Sequence, residues 1–183
     1  MLYFPDISNT HSYPRAIARV SALLIPSLAF LWFNPEFRRE IKTGRAILVG
    51  VLISLGLFLF HIVADVFPEN AVIPTAGAIW LNWIIGSPFA EELLFRGIIL
   101  RQELQSKSAW IAIPISALCF TIFHLPSWII VQQQSITELL LNCVPILIYG
   151  IVFGLIYWLI KSIWSTFIPH ATNNLIAVII NPL

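Results

Sequence analysis

The stretch Leu139–Ile160, LLLNCVPILIYGIVFGLIYWLI, contains 22 residues and no charged side chain. A helix needs about 20 predominantly apolar residues to span the hydrocarbon core of a bilayer. The apolar residues run continuously instead of alternating with polar ones, which favours a helix over a strand. The stretch therefore predicts a transmembrane α-helix.

Five further stretches of the chain are long and apolar enough to span a membrane. Of all residues, 58% are hydrophobic and 10% charged, and the mean hydropathy is +0.87, whereas about a quarter of a soluble domain is charged. We expect an all-α fold, a polytopic membrane bundle of about six transmembrane helices that forms one integral-membrane domain over residues 1–183. The five stretches are Ala16–Phe33, expected to be a retained span and not a cleaved signal peptide, Ala46–Val66, Ala71–Ala90 with an extension, Ala109–Val131 and Ile163–Leu183.

The charges between these stretches predict the orientation of the chain in a cell membrane. Basic residues concentrate in the first, third and fifth loops, and the second and fourth loops contain no Lys or Arg. The positive-inside rule then places loops one, three and five in the cytoplasm and both termini outside. The charges of Arg15 and Arg19, near the N-terminus, favour the opposite orientation. The basic loop residues are Arg38, Arg39, Lys42 and Arg45, then Arg101 and Lys107, then Lys161.

Several polar or small residues have simpler structural interpretations. The net charge of +1 argues against a nucleic-acid partner, which requires a basic face. Cys119 and Cys143 lie in apolar runs without disulfide or metal-knuckle spacing. The Gly150–Gly154 pair has the small-xxx-small spacing of close helix packing. His61 and Asp65, four residues apart, are expected to form a structural or substrate-lining hydrogen bond.

The segment Glu91-Glu92-Leu93-Leu94-Phe95-Arg96 places three ionisable groups at the end of an apolar run. Ionisable groups inside a membrane are costly and usually functional. Adjacent helical residues point about 100° apart, so the two glutamates cannot share one task. Glu92 and Arg96 have the i,i+4 order of a favourable ion pair. Glu91 therefore remains free to face something else.

His124 is the second candidate, and its position relative to Glu91 is what makes it one. The polar residues around Lys107 predict the turn of a helical hairpin. Glu91 and His124 are almost equally far from Lys107 along the chain, about 24 Å each at 1.5 Å per residue. In an antiparallel hairpin the two side chains would be level with one another.

The last apolar stretch contributes His170 and Asn174, which are four residues apart and share one helix face. Pro169 removes a backbone hydrogen bond beside the histidine and can open room for a ligand. Asn173 points elsewhere on the helix and is interpreted as structural. We expect His170 and Asn174 to line one water-accessible cavity with Glu91 and His124, on the wall opposite to them.

Three motifs therefore follow one another on successive helices: Glu-Glu-x-x-x-Arg at 91–96, Phe-x-x-x-His at 120–124 and His-x-x-x-Asn at 170–174. In these motifs the chain resembles the type II CAAX-prenyl endopeptidase family, also called the CPBP or abortive-infection family of glutamic intramembrane proteases. The likeness covers roughly Trp80 to the C-terminus.

The resemblance implies a role for each motif residue. Glu91 and His124 would activate the attacking water. His170 and Asn174 would form the oxyanion site. The remaining pair, Glu92 with Arg96, would support them.

The expected activity is hydrolysis of a peptide bond in a membrane-associated peptide or protein tail, without a metal or other cofactor. A prenylated CAAX tail, a bacteriocin leader and a C-terminal sorting tail all fit this class. One alternative is a zinc-dependent membrane peptidase that uses the same residues, since two histidines and a carboxylate can bind zinc. Another is a non-enzymatic membrane protein, such as a bacteriocin-immunity factor or a transporter.

The orientation can be tested with cysteine-accessibility labelling. In a Lys107→Cys variant, a membrane-impermeant thiol reagent should leave position 107 unlabelled in intact cells and label it in inverted vesicles, because the third loop is predicted to be cytoplasmic. Labelling of position 107 from outside intact cells would show that the predicted topology is wrong.

Overall fold

The computed structural model describes residues 13–35, 44–64, 67–69 and 71–180. Every regular element in these residues is a helix. Four helical stretches are long and apolar enough to cross a membrane. The prediction of an all-α membrane bundle is therefore confirmed. The four stretches are Ala16–Phe33, Gly44–Val63, Ala109–Ile130 and Ile136–Ile160.

We number seven helices among the described residues. Three of them contain π-helical turns: Trp80–Ile84 ends α3, Leu93–Leu100 forms the middle of α4, and Ser127–Val131 ends α5. Such turns are rare and occur frequently at functional sites. The helices are α1 (Tyr13–Phe33), α2 (Gly44–Val63), α3 (77–84), α4 (86–106), α5 (109–131), α6 (Ile136–Ile160) and α7 (Trp164–Ile180).

The predicted third span differs from the observed structure at its start. Residues 71–76, which the prediction counted as helix, are not helical. Pro74 explains part of this, because a proline disfavours helical geometry in the residue before it. The predicted extension is confirmed, since the helix continues past Arg96 as far as Ser106. The third apolar stretch is therefore divided between an irregular segment, α3 and α4.

A bend at Ile85 separates α3 from α4. Pro88 lacks an N–H group and so cannot continue the helical ladder across this point. Gly86 is required there, because a Cβ atom at this position would collide with the carbonyl oxygen of Leu81. The bend separates the first turns of α4, which contain both glutamates, from α3.

Helix α4 occupies the centre of the bundle and contacts α1, α5, α6 and α7. Its apolar side chains are correspondingly buried, with Ala90 and Leu100 fully inaccessible. By contrast, large apolar side chains on α2 and α6, such as Leu52 and Leu141, are more than half exposed. Lipid tails would cover these outer faces in a membrane. The motif with Glu91, Glu92 and Arg96 thus lies on a helix that is enclosed by protein.

Helices α5 and α6 pack closely through the glycine pair, as its spacing predicted. A Cβ atom at Gly150 would lie 2.9 Å from the Cβ of Ala117 and 3.0 Å from its Cα. A Cβ atom at Gly154 would lie 2.8 Å from Cγ2 of Ile113. Small residues allow helix backbones in membranes to approach this closely.

The close approach can be tested by comparing two glycine-to-alanine variants. Gly150→Ala should destabilise the protein by about 1–3 kcal/mol, because the new methyl group overpacks the α5–α6 contact. Gly56→Ala is the matched control, since nothing lies within 4 Å of a Cβ atom there, and alanine should stabilise a helix by about 0.5–1 kcal/mol. Thermal unfolding in detergent would measure both changes. Equal behaviour of the two variants would contradict the packing described here.

Candidate active site

Side chains from α1 and α3 to α7, together with Gln132, line a cavity of about 600 Å³. Glu91, His124, His170 and Asn174 all face it. The cavity is large enough for a small-molecule or short-peptide ligand, for which pockets of about 300–1,000 Å³ are usual. The structure thus brings together the four residues that were selected from sequence spacing.

The two neighbouring glutamates have different surroundings, as the helical angle predicted. Glu91 faces the cavity. Glu92 is completely buried and accepts a 2.9 Å hydrogen bond from Nη1 of Arg96. The Arg96 guanidinium is itself 1% exposed, lies 4.6 Å from the ring centre of Phe120 and contacts the carbonyl oxygen of Gly150 at 3.4 Å. Glu92 and Arg96 therefore form a buried ion pair behind the cavity wall.

His170 lies beside both glutamates, so its predicted place on the wall opposite Glu91 is wrong. Nδ1 of His170 is 2.9 Å from Oε1 of Glu92, and Nε2 is 3.8 Å from Oε2 of Glu91. The physical reason is that hydrogen bonds to an ionised group are strong, and Oε1 of the buried Glu92 accepts one from His170 in addition to the one from Arg96.

The contacts of His170 also define its tautomer. Glu92 is ion-paired with Arg96 and accepts hydrogen bonds, so Nδ1 of His170 carries the hydrogen that points to it. A neutral imidazole carries one hydrogen only. In the neutral ring, the Nε2 atom next to Glu91 is therefore a lone-pair acceptor, and it donates only when the ring is doubly protonated.

His124 has the same tautomer for a different reason. Its Nδ1 lies 2.8 Å from the carbonyl oxygen of Phe120, which can only accept. The neutral ring consequently presents a lone pair at Nε2. Rings of Phe120 and Trp128 pack around it, with centroid distances of 4.8 and 5.5 Å. His124 is thus held as a hydrogen-bond acceptor by its own helix.

Asn174 is anchored across the bundle. Its Nδ2 donates to the carbonyl oxygen of Trp83 at 2.9 Å, which leaves the second amide hydrogen for another acceptor. Asn173 also faces the cavity, accepts from Tyr149 at 2.6 Å and donates to Asn174 at 3.4 Å. The interpretation of Asn173 as pointing elsewhere is therefore wrong: the wide cavity takes in two neighbouring positions of α7.

Arg19 and Ser87 also line the cavity, although the three sequence motifs do not include them. Nη2 of Arg19, on α1, lies 3.7 Å from Oε1 of Glu91, and its guanidinium carbon is 4.7 Å from the ring centre of Trp83. Ser87 lies one helical turn before Glu91, is 2% exposed, and its hydroxyl makes no hydrogen bond within the described residues. Arg19 does carry a sequence signal, since it lies inside a predicted span, where an ionisable group is usually functional.

The remaining candidates lie outside this cavity. His61 bonds the carbonyl oxygen of Leu57 within α2, and Asp65 lies outside the described residues. Cys119 and Cys143 are free thiols of intermediate exposure. In the part of the chain that the structure describes, no three His, Cys, Asp or Glu side chains form a group that could hold a metal ion.

The chain matches one known protein family. A family model described as type II CAAX prenyl endopeptidase Rce1-like matches residues 73–176, more than half of the 183 residues. The comparisons with curated proteins and with solved structures gave no match. The matched residues include Glu91, Glu92, Arg96, His124 and both His170 and Asn174, whereas α1 and α2 lie outside them.

The buried ion pair predicts a large stability difference between two conservative variants. Glu92→Gln should destabilise the fold by about 3–5 kcal/mol, because it leaves the Arg96 cation buried without a counter-charge. Glu103→Gln is the control: Glu103 pairs with Lys107 at 2.5 Å, but the two side chains are 26% and 38% exposed, so the loss should stay below about 1 kcal/mol. Yield and thermal unfolding in detergent would measure this. Similar losses in both variants would contradict a structural role of the buried pair.

Proposed function

Because the chain belongs to the Rce1-like family of type II CAAX prenyl endopeptidases, it is a membrane protease, and we propose that it acts through water activated by Glu91. The observation that carries this proposal is the arrangement around that carboxylate. Glu91 faces the same cavity as His124 and His170, and both imidazoles offer lone pairs at Nε2 when neutral. A carboxylate and two lone-pair nitrogens are suited to hold and deprotonate a water molecule.

The first step is attack of the water oxygen on the carbonyl carbon of the scissile peptide bond. Glu91 accepts the proton that the water loses, and Nε2 of His124 accepts a hydrogen bond from the other hydrogen. The π electrons of the carbonyl move onto its oxygen, which becomes an oxyanion. The free N–H of Asn174 is a neutral donor for that oxyanion, and one such donor is typically worth about 3 kcal/mol.

The second step returns the proton to the leaving group. Nε2 of His170 is 3.8 Å from Glu91, so a movement of less than about 1 Å would bring the two atoms within hydrogen-bond length. His170 can then take the proton from Glu91 and, now doubly protonated, donate from Nε2. This is the state in which its predicted oxyanion role becomes possible. When the C–N bond breaks, the amine nitrogen takes that proton.

Glu92 and Arg96 would act by positioning. Glu92 fixes Nδ1 of His170 and thereby keeps Nε2 directed at Glu91. Arg96 supplies the positive charge that lets Glu92 remain an acceptor in a buried position. Neither side chain lines the cavity, so neither is assigned a contact with substrate.

The cavity lining favours a membrane-associated tail as substrate. One part of the lining is polar and includes Asn142 and Gln132, and another part is apolar and includes Ile122, Trp128 and Ile146. Polar groups can bond a peptide backbone while the apolar part accepts lipid-like or hydrophobic side chains. A prenylated CAAX tail, a bacteriocin leader and a C-terminal sorting tail all satisfy this description.

Glu91→Gln should abolish cleavage and leave the protein folded, because the amide has nearly the same shape but cannot take the proton. The measurement is a comparison of membrane-protein termini in cells that express wild type, Glu91→Gln or the Glu103→Gln control. Termini that depend on the wild type should disappear in the first variant only. The same termini in Glu91→Gln cells would contradict the proposal.

Chelation separates the metal-free mechanism from its zinc alternative. Purified protein should keep its activity in a strong zinc chelator if Glu91 acts on free water. Loss of activity that added zinc restores would support the zinc peptidase instead, since that mechanism requires a bound metal.

A further inference from the structure

Arg19 enters the cavity from α1, outside the residues that match the family. Among the described residues, it is the only Lys or Arg that lines this cavity. Its side chain is 36% exposed. A charged side chain in a predicted span is costly unless it has a role, and the mechanism above does not use this one.

The mechanism leaves the oxyanion with few donors at the moment it forms. Neutral His124 and His170 present lone pairs at Nε2. Asn174 has already given one amide hydrogen to the carbonyl oxygen of Trp83, so one remains. Ser87 adds a neutral hydroxyl on the helix face of Glu91. A full negative charge on the oxygen calls for stronger stabilisation than neutral donors give, and charge-assisted hydrogen bonds are roughly twice as strong as neutral ones.

Arg19 and the oxyanion donor Asn174 contact the same residue, Trp83. The guanidinium packs on the ring of Trp83, and the amide of Asn174 is bonded to the carbonyl oxygen of the same residue. Trp83 therefore contacts both a cationic donor, Arg19, and a neutral donor, Asn174. The cation also lies 3.7 Å from Oε1 of Glu91, where the attacking water would be held.

The contact between Arg19 and Glu91 leaves the guanidinium available. A separation of 3.7 Å exceeds the 2.7–3.2 Å of a normal N–H···O hydrogen bond. A guanidinium carries five N–H groups in a rigid plane, and its carbon lies 4.7 Å from the centre of the Trp83 ring. Arg19 can therefore direct an N–H group to a new oxygen without first breaking a strong bond.

We propose that Arg19 is a catalytic residue that binds the oxyanion together with Asn174. This inference rests on the proposed function. As water attacks, its proton passes to Glu91 and the carbonyl electron pair moves to the oxygen, which then accepts hydrogen bonds from the guanidinium and the amide. The interaction strengthens as negative charge develops, so it lowers the barrier more than it tightens substrate binding.

The test compares Arg19→Gln and Arg19→Lys with a matched control, Arg45→Gln. Arg45 is exposed at the start of α2 and does not line the cavity. The substrate is a quenched fluorescent peptide that spans a cleavage site found by the terminus comparison, prepared with a free C-terminal carboxylate and as its C-terminal amide. The inhibitor is a phosphinate analogue of the same peptide, whose anionic tetrahedral phosphorus has the shape and charge of the intermediate.

For Arg19→Gln we expect kcat to fall about 10²–10³-fold, as for loss of an oxyanion-hole donor, with KM nearly unchanged and the same loss for both peptides. The Ki of the phosphinate should rise by about the same factor as kcat/KM falls, because both report binding of the tetrahedral state. Arg19→Lys, which keeps the charge but not the planar fork, should give an intermediate loss. Arg45→Gln should behave as wild type.

Three other outcomes would overturn the inference. A rise in KM confined to the free-acid peptide would identify Arg19 as a clamp for the substrate carboxylate. If the Arg19→Lys variant folds and loses kcat but binds the phosphinate as tightly as wild type, Arg19 has a structural role. Wild-type kinetics in Arg19→Gln, alongside an inactive Glu91→Gln, would remove Arg19 from the mechanism and leave the proposed function intact. Failure of the proposed function itself would appear separately, as full activity of Glu91→Gln.

Discussion

The carboxylate of Glu92 is buried where four helices meet, and its contacts hold the bundle together at that point. Arg96 neutralises it from one turn further along α4, and His170 donates to it from α7. Arg96 in turn packs over Phe120 on α5 and reaches the carbonyl oxygen of Gly150 on α6. A buried charge that loses its partner costs several kcal/mol, so these elements cannot shift independently of one another.

This constraint explains how two identical neighbours on one helix come to differ. The ion pair fixes the rotation of α4, and the 100° step between adjacent residues then directs Glu91 into the cavity. The same carboxylate holds Nδ1 of His170, so that Nε2 lies next to Glu91. Stability and the proposed chemistry thus share one set of contacts. Helix α1, which is outside the matched residues, adds Arg19 at 3.7 Å from Glu91.

Most of the fold follows from hydropathy and spacing alone. Lipid offers no partners for backbone groups, so only helices and closed barrels span a bilayer, and continuously apolar runs favour helices. The spacing of Gly150 and Gly154 also predicted close helix packing, and the structure shows this packing between α5 and α6. The error at residues 71–76 arose because a count of apolar residues is insensitive to backbone breaks. Pro74 and the bend at Ile85 divide a run that composition alone would read as one helix.

For the site, helical periodicity gave the residues that share a helix face, and the hairpin count predicted that Glu91 and His124 are level. The sequence therefore separated Glu91 from Glu92 and selected His124, all through local geometry. Only the tertiary structure decided that His170 lies beside Glu91 and that Arg19 reaches it from α1. The physical reason is that helical periodicity fixes angles within one helix. The rotation, tilt and depth of one helix relative to a distant one depend on packing and on which side chains pair with a buried charge.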